Sequence, residues 1–370
     1  MTRTAVLAVA LYASAALAGA GSTWQLQYFY DEDKSSFTLN DLKFPSARTG
    51  VAVGFLREGG RAKPAALITT NGGGQWMVQP LKEIGLSLFF VNDSLGWMVT
   101  PKGIWRTEEA GRNWTKISSL REMLRVYFVD PNRGWAVGLR KSVYATEDGG
   151  RKWTKVPAAS EPKTKPEHTT YGWIAFATPE VGMITGWHRP PRRSDAGLPD
   201  WIDPEQAQLR REWPGTTIFL DTRDGGKTWK TSTTSMFGHV TRMLLSANGS
   251  GLGLVELTGA MEEWPSEVYQ IDWHTGKSQR VFRDKAVVLT DLVVFPSGTA
   301  YIAGIEPAGR LRRSPIPGKL RILKSVDLKN WTRMEVDYRA TGSRVTLAPA
   351  DENHIWAATD TGMFLALAAE

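Results

Sequence analysis

The chain has 370 residues, no cysteine, a net charge of +7, 36 glycines and 16 tryptophans. Without cysteine there are no disulfides, no thiol nucleophile, no cysteine–zinc site and no lipid-modified cysteine. No long segment is poor in apolar residues, which argues against extended disorder, and one large all-β domain is allowed at this length. The positive charge attracts anionic partners in general. The Lys and Arg residues are spread along the chain and no recognition motif accompanies them, so nucleic acid is not an expected partner.

From the N-terminus, Met1-Thr-Arg3 is followed by an apolar run from Ala5 to Ala18 and by small residues at Ala16-Leu17-Ala18 and Ala18-Gly19-Ala20. A basic start, a short apolar core and an A-x-A ending read as a secretory signal over residues 1–20. The run is shorter than the ~20 apolar residues of a membrane span. The expectation is a periplasmic or secreted protein, with one domain over residues 21–370.

A short pattern then recurs seven times. It reads Gly50-Val-Ala-Val-Gly54, Gly96-Trp-Met-Val-Thr100, Gly134-Trp-Ala-Val-Gly138 and Gly182-Met-Ile-Thr-Gly186, and more weakly Gly251–Val255, Thr299–Ala303 and His354–Ala358. An apolar stretch precedes most copies, as in Ser87–Val91, Leu124–Val129 and Thr290–Phe295. A second pattern follows most of them: Thr69-x-Asn71 with Trp76, Thr107-x-Glu109 with Trp114, Thr146-x-Asp148 with Trp153, Thr222-x-Asp224 with Trp229, and a shorter Ser325-x-Asp327 with Trp331. The fifth repeat keeps only a relic around Asp272. In such a turn the carboxylate accepts backbone N–H groups, glycine supplies positive φ, and the tryptophan opens the next strand with a large ring to bury. These acids are therefore expected to form turns rather than to carry out catalysis.

Each repeat thus holds four strands, and several such repeats signal a β-propeller, here an all-β fold of seven four-stranded antiparallel blades. The seventh unit, after Arg344–Pro349, His354–Thr359 and Gly362–Ala366, lacks its tryptophan-led outer strand. Thr23-Trp24-Gln-Leu-Gln-Tyr28 matches the missing strand and is expected to complete the last blade, which removes an open edge.

Strand order places the turns after the first and third strands of each blade on one face. The turns after the second strand and the links between blades lie on the other. Residues 55–64, 187–215, 256–266 and 304–318 are expected to be long second-to-third-strand loops, and 157–170 a link. Long loops on a rigid scaffold are where binding concentrates. The candidate binding residues there are Arg57, Arg61, Arg189, Arg192, Arg193, Trp201, Trp213, Trp264, Arg310, Arg312 and Arg313, since arginines beside tryptophans suit acidic or carboxylate-bearing partners. His168, His188, His239, His274 and His354 show no metal-ligand spacing. No metal or cofactor is expected, and no catalytic residue can be named.

The strand Phe128-Val-Asp130-Pro-Asn-Arg-Gly134-Trp135-Ala-Val-Gly138, running on to Asp148 and Trp153, resembles the photosystem II stability/assembly-factor family of seven-bladed propellers, and the second pattern resembles the Asp-boxes, or BNR repeats, of the sialidase-like superfamily. The first resemblance spans nearly the whole mature chain. It implies a non-catalytic, monomeric factor that binds protein, with a membrane complex as client. The second leaves open an Asp-box glycoside hydrolase or a carbohydrate-binding propeller. A sialidase would need three arginines, an Asp acid/base and a Tyr–Glu pair, and usually an early Phe-Arg-Ile-Pro-like motif, which is missing here. Two suitably spaced carboxylates would serve another hydrolase.

Overall fold

The computed structural model describes residues 23–30, 32, 34–190, 214–258, 264–308 and 316–368. The expected signal segment lies outside these residues. Among them, seven antiparallel sheets follow one another along the chain, with helix confined to two 3-10 turns, Pro157–Ser160 and Pro166–His168, in the link after blade 3. Blades 1 to 6 span residues 35–80, 87–118, 123–155, 169–236, 238–284 and 288–333. Blade 7 orders its strands Val345–Pro349, Ile355–Thr359, Met363–Leu367 and Thr23–Phe29. The N-terminal strand closes the ring by antiparallel pairing with Met363–Leu367, Trp24 opposite Leu367. A short strand, Glu335–Val336, then lies parallel to Thr23 and Trp24 as a fifth strand.

Burial follows position within the blade. In blade 3 the inner strand Met123–Phe128 alternates, because one face looks into the channel. The second strand, Gly134–Gly138, is buried at every residue between its neighbours. The outer strand, Thr154–Lys155, is exposed and polar. The longer outer strand of blade 5, Lys277–Asp284, carries Lys277, Arg280 and Arg283, charges that discourage edge-to-edge pairing.

The recurring Phe, Gly and Trp form one joint between neighbouring blades. The Phe128 ring lies over Gly134, where a Cβ would come within 2.5 Å of it, and Phe44, Phe90 and Phe176 cover Gly50, Gly96 and Gly182 in the same way. Phe128 stacks on Trp97 of the preceding blade at 3.6 Å, Phe176 on Trp135 at 4.5 Å, and Phe44 on Trp356 of blade 7 at 3.6 Å. Such ring pairs contribute about 0.5–1.5 kcal/mol each beyond area burial. The Ser/Thr-x-Asp turns cover the same tryptophans from above. Trp97 Nε1 donates to Gly149 O at 2.9 Å and Trp356 Nε1 to Gly72 O at 3.1 Å. At Gly226, with φ of +80°, a Cβ would lie 2.4 Å from Trp135, so only glycine fits.

One expectation is corrected. Residues 55–64 are not a loop. Strands Gly50–Glu58 and Arg61–Thr69 run to a two-residue turn, Gly59–Gly60, with φ of +53° and +83°, the primed hairpin geometry that suits twisted strands. Arg57 and Arg61 are therefore exposed strand residues at a hairpin end.

Candidate functional site

The turns of the second pattern hold themselves together. Thr146 Oγ1 donates to Asp148 Oδ1 at 2.9 Å and accepts from Gly150 N at 3.0 Å, while Arg151 N and Lys152 N donate to Asp148 Oδ1 at 2.9 Å. Asp224 and Asp327 accept backbone N–H groups at 2.8–2.9 Å in the same manner, and Asn71 Oδ1 takes Gln75 N at 2.9 Å. Glu109, one carbon longer, instead accepts Asn113 Nδ2 at 2.7 Å. Asp272, the relic, still takes His274 N and Thr275 N at 2.9 and 3.0 Å. Hydrogen bonds from Thr228 hold the Asp224 carboxyl down to about 2. Trp153 and Trp229 each donate Nε1 to the carbonyl of the turn's second glycine. Trp331 Nε1 donates to Val281 O on the outer strand of blade 5, at 3.1 Å. The rings of Trp76 and Trp114 pack on Phe364 and Phe90. The turns of blades 1 to 5 are tied to the first turn of their own blade, as in Gly72 N to Arg48 O and Gly149 N to Asn132 O, both 2.8 Å. They therefore share one face of the ring.

The channel opens at that same face into a cavity of about 480 Å³. Its base, Arg125 and Trp173, belongs to a register position that recurs on each inner strand. The partners of Val53, Val99, Val137, Thr185, Leu254, Ala303 and Ala358 are Asp41, Ser87, Arg125, Trp173, Arg242, Asp291 and Thr346. In blades 1, 3, 4, 5 and 6 a β-bulge immediately precedes this residue and re-aims it.

This layer forms a belt across all seven blade junctions. Leu42 N and Leu88 N donate to Asp41 Oδ1 and Oδ2 at 2.9 and 2.8 Å, the second from blade 2. Ser87 Oγ donates to Leu124 O at 2.7 Å. The Arg125 guanidinium lies 4.1 Å over the Trp173 ring, whose Nε1 donates to Met243 O at 2.6 Å. Arg242 covers the same ring at 4.7 Å and donates Nε to Asp291 Oδ1 at 3.1 Å. Asp291 Oδ2 accepts Leu347 N at 2.9 Å. Arg344 Nη2 returns to Leu39 O and Asn40 O of blade 1 at 3.0 and 3.1 Å.

Two residues further along the inner strands of blades 1 to 5 and 7, with period-two alternation, Lys43, Phe89, Tyr127, Ala175, Leu244 and Ala348 form the walls. The result is a mainly apolar cup with the Arg125 guanidinium and the Trp173 ring at its base. Burial, then the like charge of Arg242, pulls Arg125 down to about 10, against the opposing pull of Asp41 and Asp291. It remains charged at neutral pH. Burial pushes the Asp41 carboxyl up, yet Lys43, Arg125 and the two backbone N–H groups outweigh it and hold that carboxyl below its ordinary range.

The residues singled out in the sequence lie mostly elsewhere. Arg192, Arg193, Trp201, Trp213, Arg310, Arg312 and Arg313 fall outside the described residues. Arg189 donates to His239 Nδ1 at 3.0 Å and to Thr258 Oγ1. Trp264 has Arg283 at 3.6 Å and Lys285 at 4.7 Å over its ring. Arg57 lies over Phe55 of its own strand. The structure does not bring Arg57 or Arg61 together with the Arg189 pair. The floor residues were not among the sequence candidates, although aligning the seven inner strands would have put a polar residue or tryptophan in one column.

The Arg189 contact yields a pH prediction. Burial, then Arg189, lowers His239 to about 4. An unfolded chain takes up that proton near 6.5. Stability is therefore full above pH 6.5, falls as pH drops through it, and levels off below about 4. At ~1.4 kcal/mol per pH unit the loss approaches about 3 kcal/mol. Urea unfolding at a series of pH values should show this slope, and His239→Gln should flatten it.

No protein-family model and no curated protein sequence matches the chain. Solved structures do. YCF48 from Cyanidioschyzon merolae aligns with TM-score 0.58 at 14% identity, over 93% of this chain and 98% of that one. A YCF48 solved bound to a D1 peptide aligns with TM-score 0.59 at 13% identity, over 94% and 100%. The GH74 xyloglucanase from Xanthomonas campestris aligns with TM-score 0.60 at 12% identity, over 93% of this chain and 53% of that one. In fold, the chain is a seven-bladed propeller with its N-terminal strand closing the last blade, and its neighbours include both YCF48 and glycoside hydrolase propellers.

Proposed function

We propose that this chain is an exported, non-catalytic, monomeric propeller, built on Asp-box turns, that binds a protein partner in the central cup. The observation that carries this reading is the half-buried Arg125 guanidinium, which lies on the Trp173 ring and faces into a cup with mainly apolar walls. A guanidinium facing such a cup can donate charge-assisted hydrogen bonds to an incoming acceptor. The similar YCF48 structure with its bound peptide supports a protein segment as the occupant.

The GH74 neighbour supports the alternative, a hydrolase. Such an enzyme needs one carboxylic acid with a raised pKa beside a second carboxylate. Asp41 and Asp291, the carboxylates of the floor, each accept two backbone N–H groups, and Asp41 is held low. These are structural roles. Purified protein assayed on xyloglucan and on aryl glycosides, a sialic acid conjugate included, should show no turnover. Turnover lost on removing one carboxylate would overturn the reading.

A second reading places the partner on the opposite face, and the stretches between second and third strands in blades 4 to 6 favour it by their length. Reversing Arg192, Arg193, Arg312 and Arg313 to Glu separates the two. Binding survives if the cup is the site and is lost if the loop face is.

A further inference from the structure

On the face opposite the Ser/Thr-x-Asp turns, we infer that His168 and His188 form a two-histidine site for a divalent metal ion of the zinc class.

The two residues come from separate elements, and strand register rather than sequence spacing joins them. His168 ends the second 3-10 turn of the link after blade 3, and His188 ends the second strand of blade 4, Gly182–His188. Thr169 lies opposite His188 in the sheet, and Arg189 N donates to His168 O at 2.9 Å. Both main chains are thus fixed where the rings meet. The ring centroids lie 6.2 Å apart with their planes at 51°, and both residues are half-buried. An ion about 2.0–2.1 Å from one nitrogen of each ring fits between rings at this separation.

A hydroxyl fixes which nitrogen of His188 is bare. Thr169 Oγ1 lies 2.7 Å from Lys165 O, nearer than Thr164 Oγ1 at 3.0 Å. A carbonyl only accepts, so the single hydroxyl proton of Thr169 goes there. Toward His188 Nδ1, at 3.0 Å, Thr169 Oγ1 is then the acceptor. This assigns the ring hydrogen to Nδ1 and leaves the Nε2 lone pair free. Metal-binding histidines are held in this manner, with the other ring N–H given to an oxygen that sets tautomer and orientation. Burial, then the charges of His168 and Lys141, holds His188 below its ordinary range against the opposing pull of Glu167. It is therefore neutral at pH 7, the form that a metal ion requires.

Imidazole suits zinc, copper and nickel, whereas calcium and magnesium seek oxygen ligands. No third histidine or carboxylate completes a metal-binding group with these rings among the described residues. A bound ion thus keeps positions for water or for a donor that a partner brings. The other histidines are engaged differently: His239 takes Arg189, His274 packs on Trp273 and His354 pairs with Asp351.

The test is calorimetric titration of Zn²⁺ into the chelator-treated full chain, prepared without a histidine tag. A single ion per chain should bind, and Mg²⁺ should not. His168→Ala and His188→Ala should each remove the binding. Thr169→Val should weaken it about tenfold, the usual order for losing such a supporting oxygen. His354→Ala should change nothing. No zinc binding, or undiminished affinity in a folded form of any of the first three variants, would overturn the inference. Should those variants not fold, NMR of the unaltered chain with labelled histidines decides. Zinc should shift the ring signals of His168 and His188 and leave those of His274 and His354 in place, and the opposite pattern would overturn the site.

Discussion

Trp24→Ala is expected to lower the unfolding free energy by about 3–5 kcal/mol, the range for deleting a large buried aromatic. Trp24 is 1% exposed and sits on the strand that closes the ring. It meets Tyr301 of blade 6 edge-on at 6.4 Å, its Nε1 reaches Met334 Sδ at 3.4 Å, and its carbonyl accepts Asp337 N at 2.9 Å. The side chain thus joins blade 7 to blade 6 at the point where the two ends of the chain meet. Its loss leaves a cavity at the closure and weakens the one strand that removes the open edge. A fall in the urea midpoint at unchanged slope would match this. A loss below 1 kcal/mol would mean that the ring closes without help from this strand.

Asp291→Ala should cost a similar amount, about 3–5 kcal/mol, by a different route. Asp291 and Arg242 are mostly buried, with side chains 10% and 14% exposed. Removing the carboxylate leaves a buried guanidinium unpaired and two backbone donors, Leu292 N and Leu347 N, without acceptors. Replacing both members of the pair by well-packed apolar residues should recover much of the loss, since the penalty comes from the stranded charge and not from the missing bond alone. Additive single losses in the double variant would contradict the belt as a coupled unit.

Much of this fold is written in local chemistry that a single sequence displays. Phe, Gly and Trp form one packing joint at three blade boundaries, so they recur together in the sequence. Thr23–Tyr28 is legible as the missing strand because Trp24 matches the tryptophans that open the other outer strands. Less legible were features that depend on pairing. The Gly59–Gly60 pair is a hairpin signal, yet segment length alone makes residues 55–64 look like a loop. Glu335–Val336 joins blade 7 through two residues that carry no pattern. The floor is hidden for a further reason. Asp41, Arg125, Arg242 and Asp291 stand as polar breaks inside apolar runs while Trp173 continues one, and the bulges that precede all five leave no mark in the sequence.

The most direct measurement is site-specific photo-cross-linking in the cell of origin, with a benzoylphenylalanine at Leu244 inside the cup and, separately, at Met77 on the exposed outer strand of blade 1. The account predicts a discrete protein adduct from the Leu244 position, absent from Met77 and lost when Arg125 is changed to Gln. Adducts from neither position, or equally from both, would contradict the cup as the place where this propeller holds its partner.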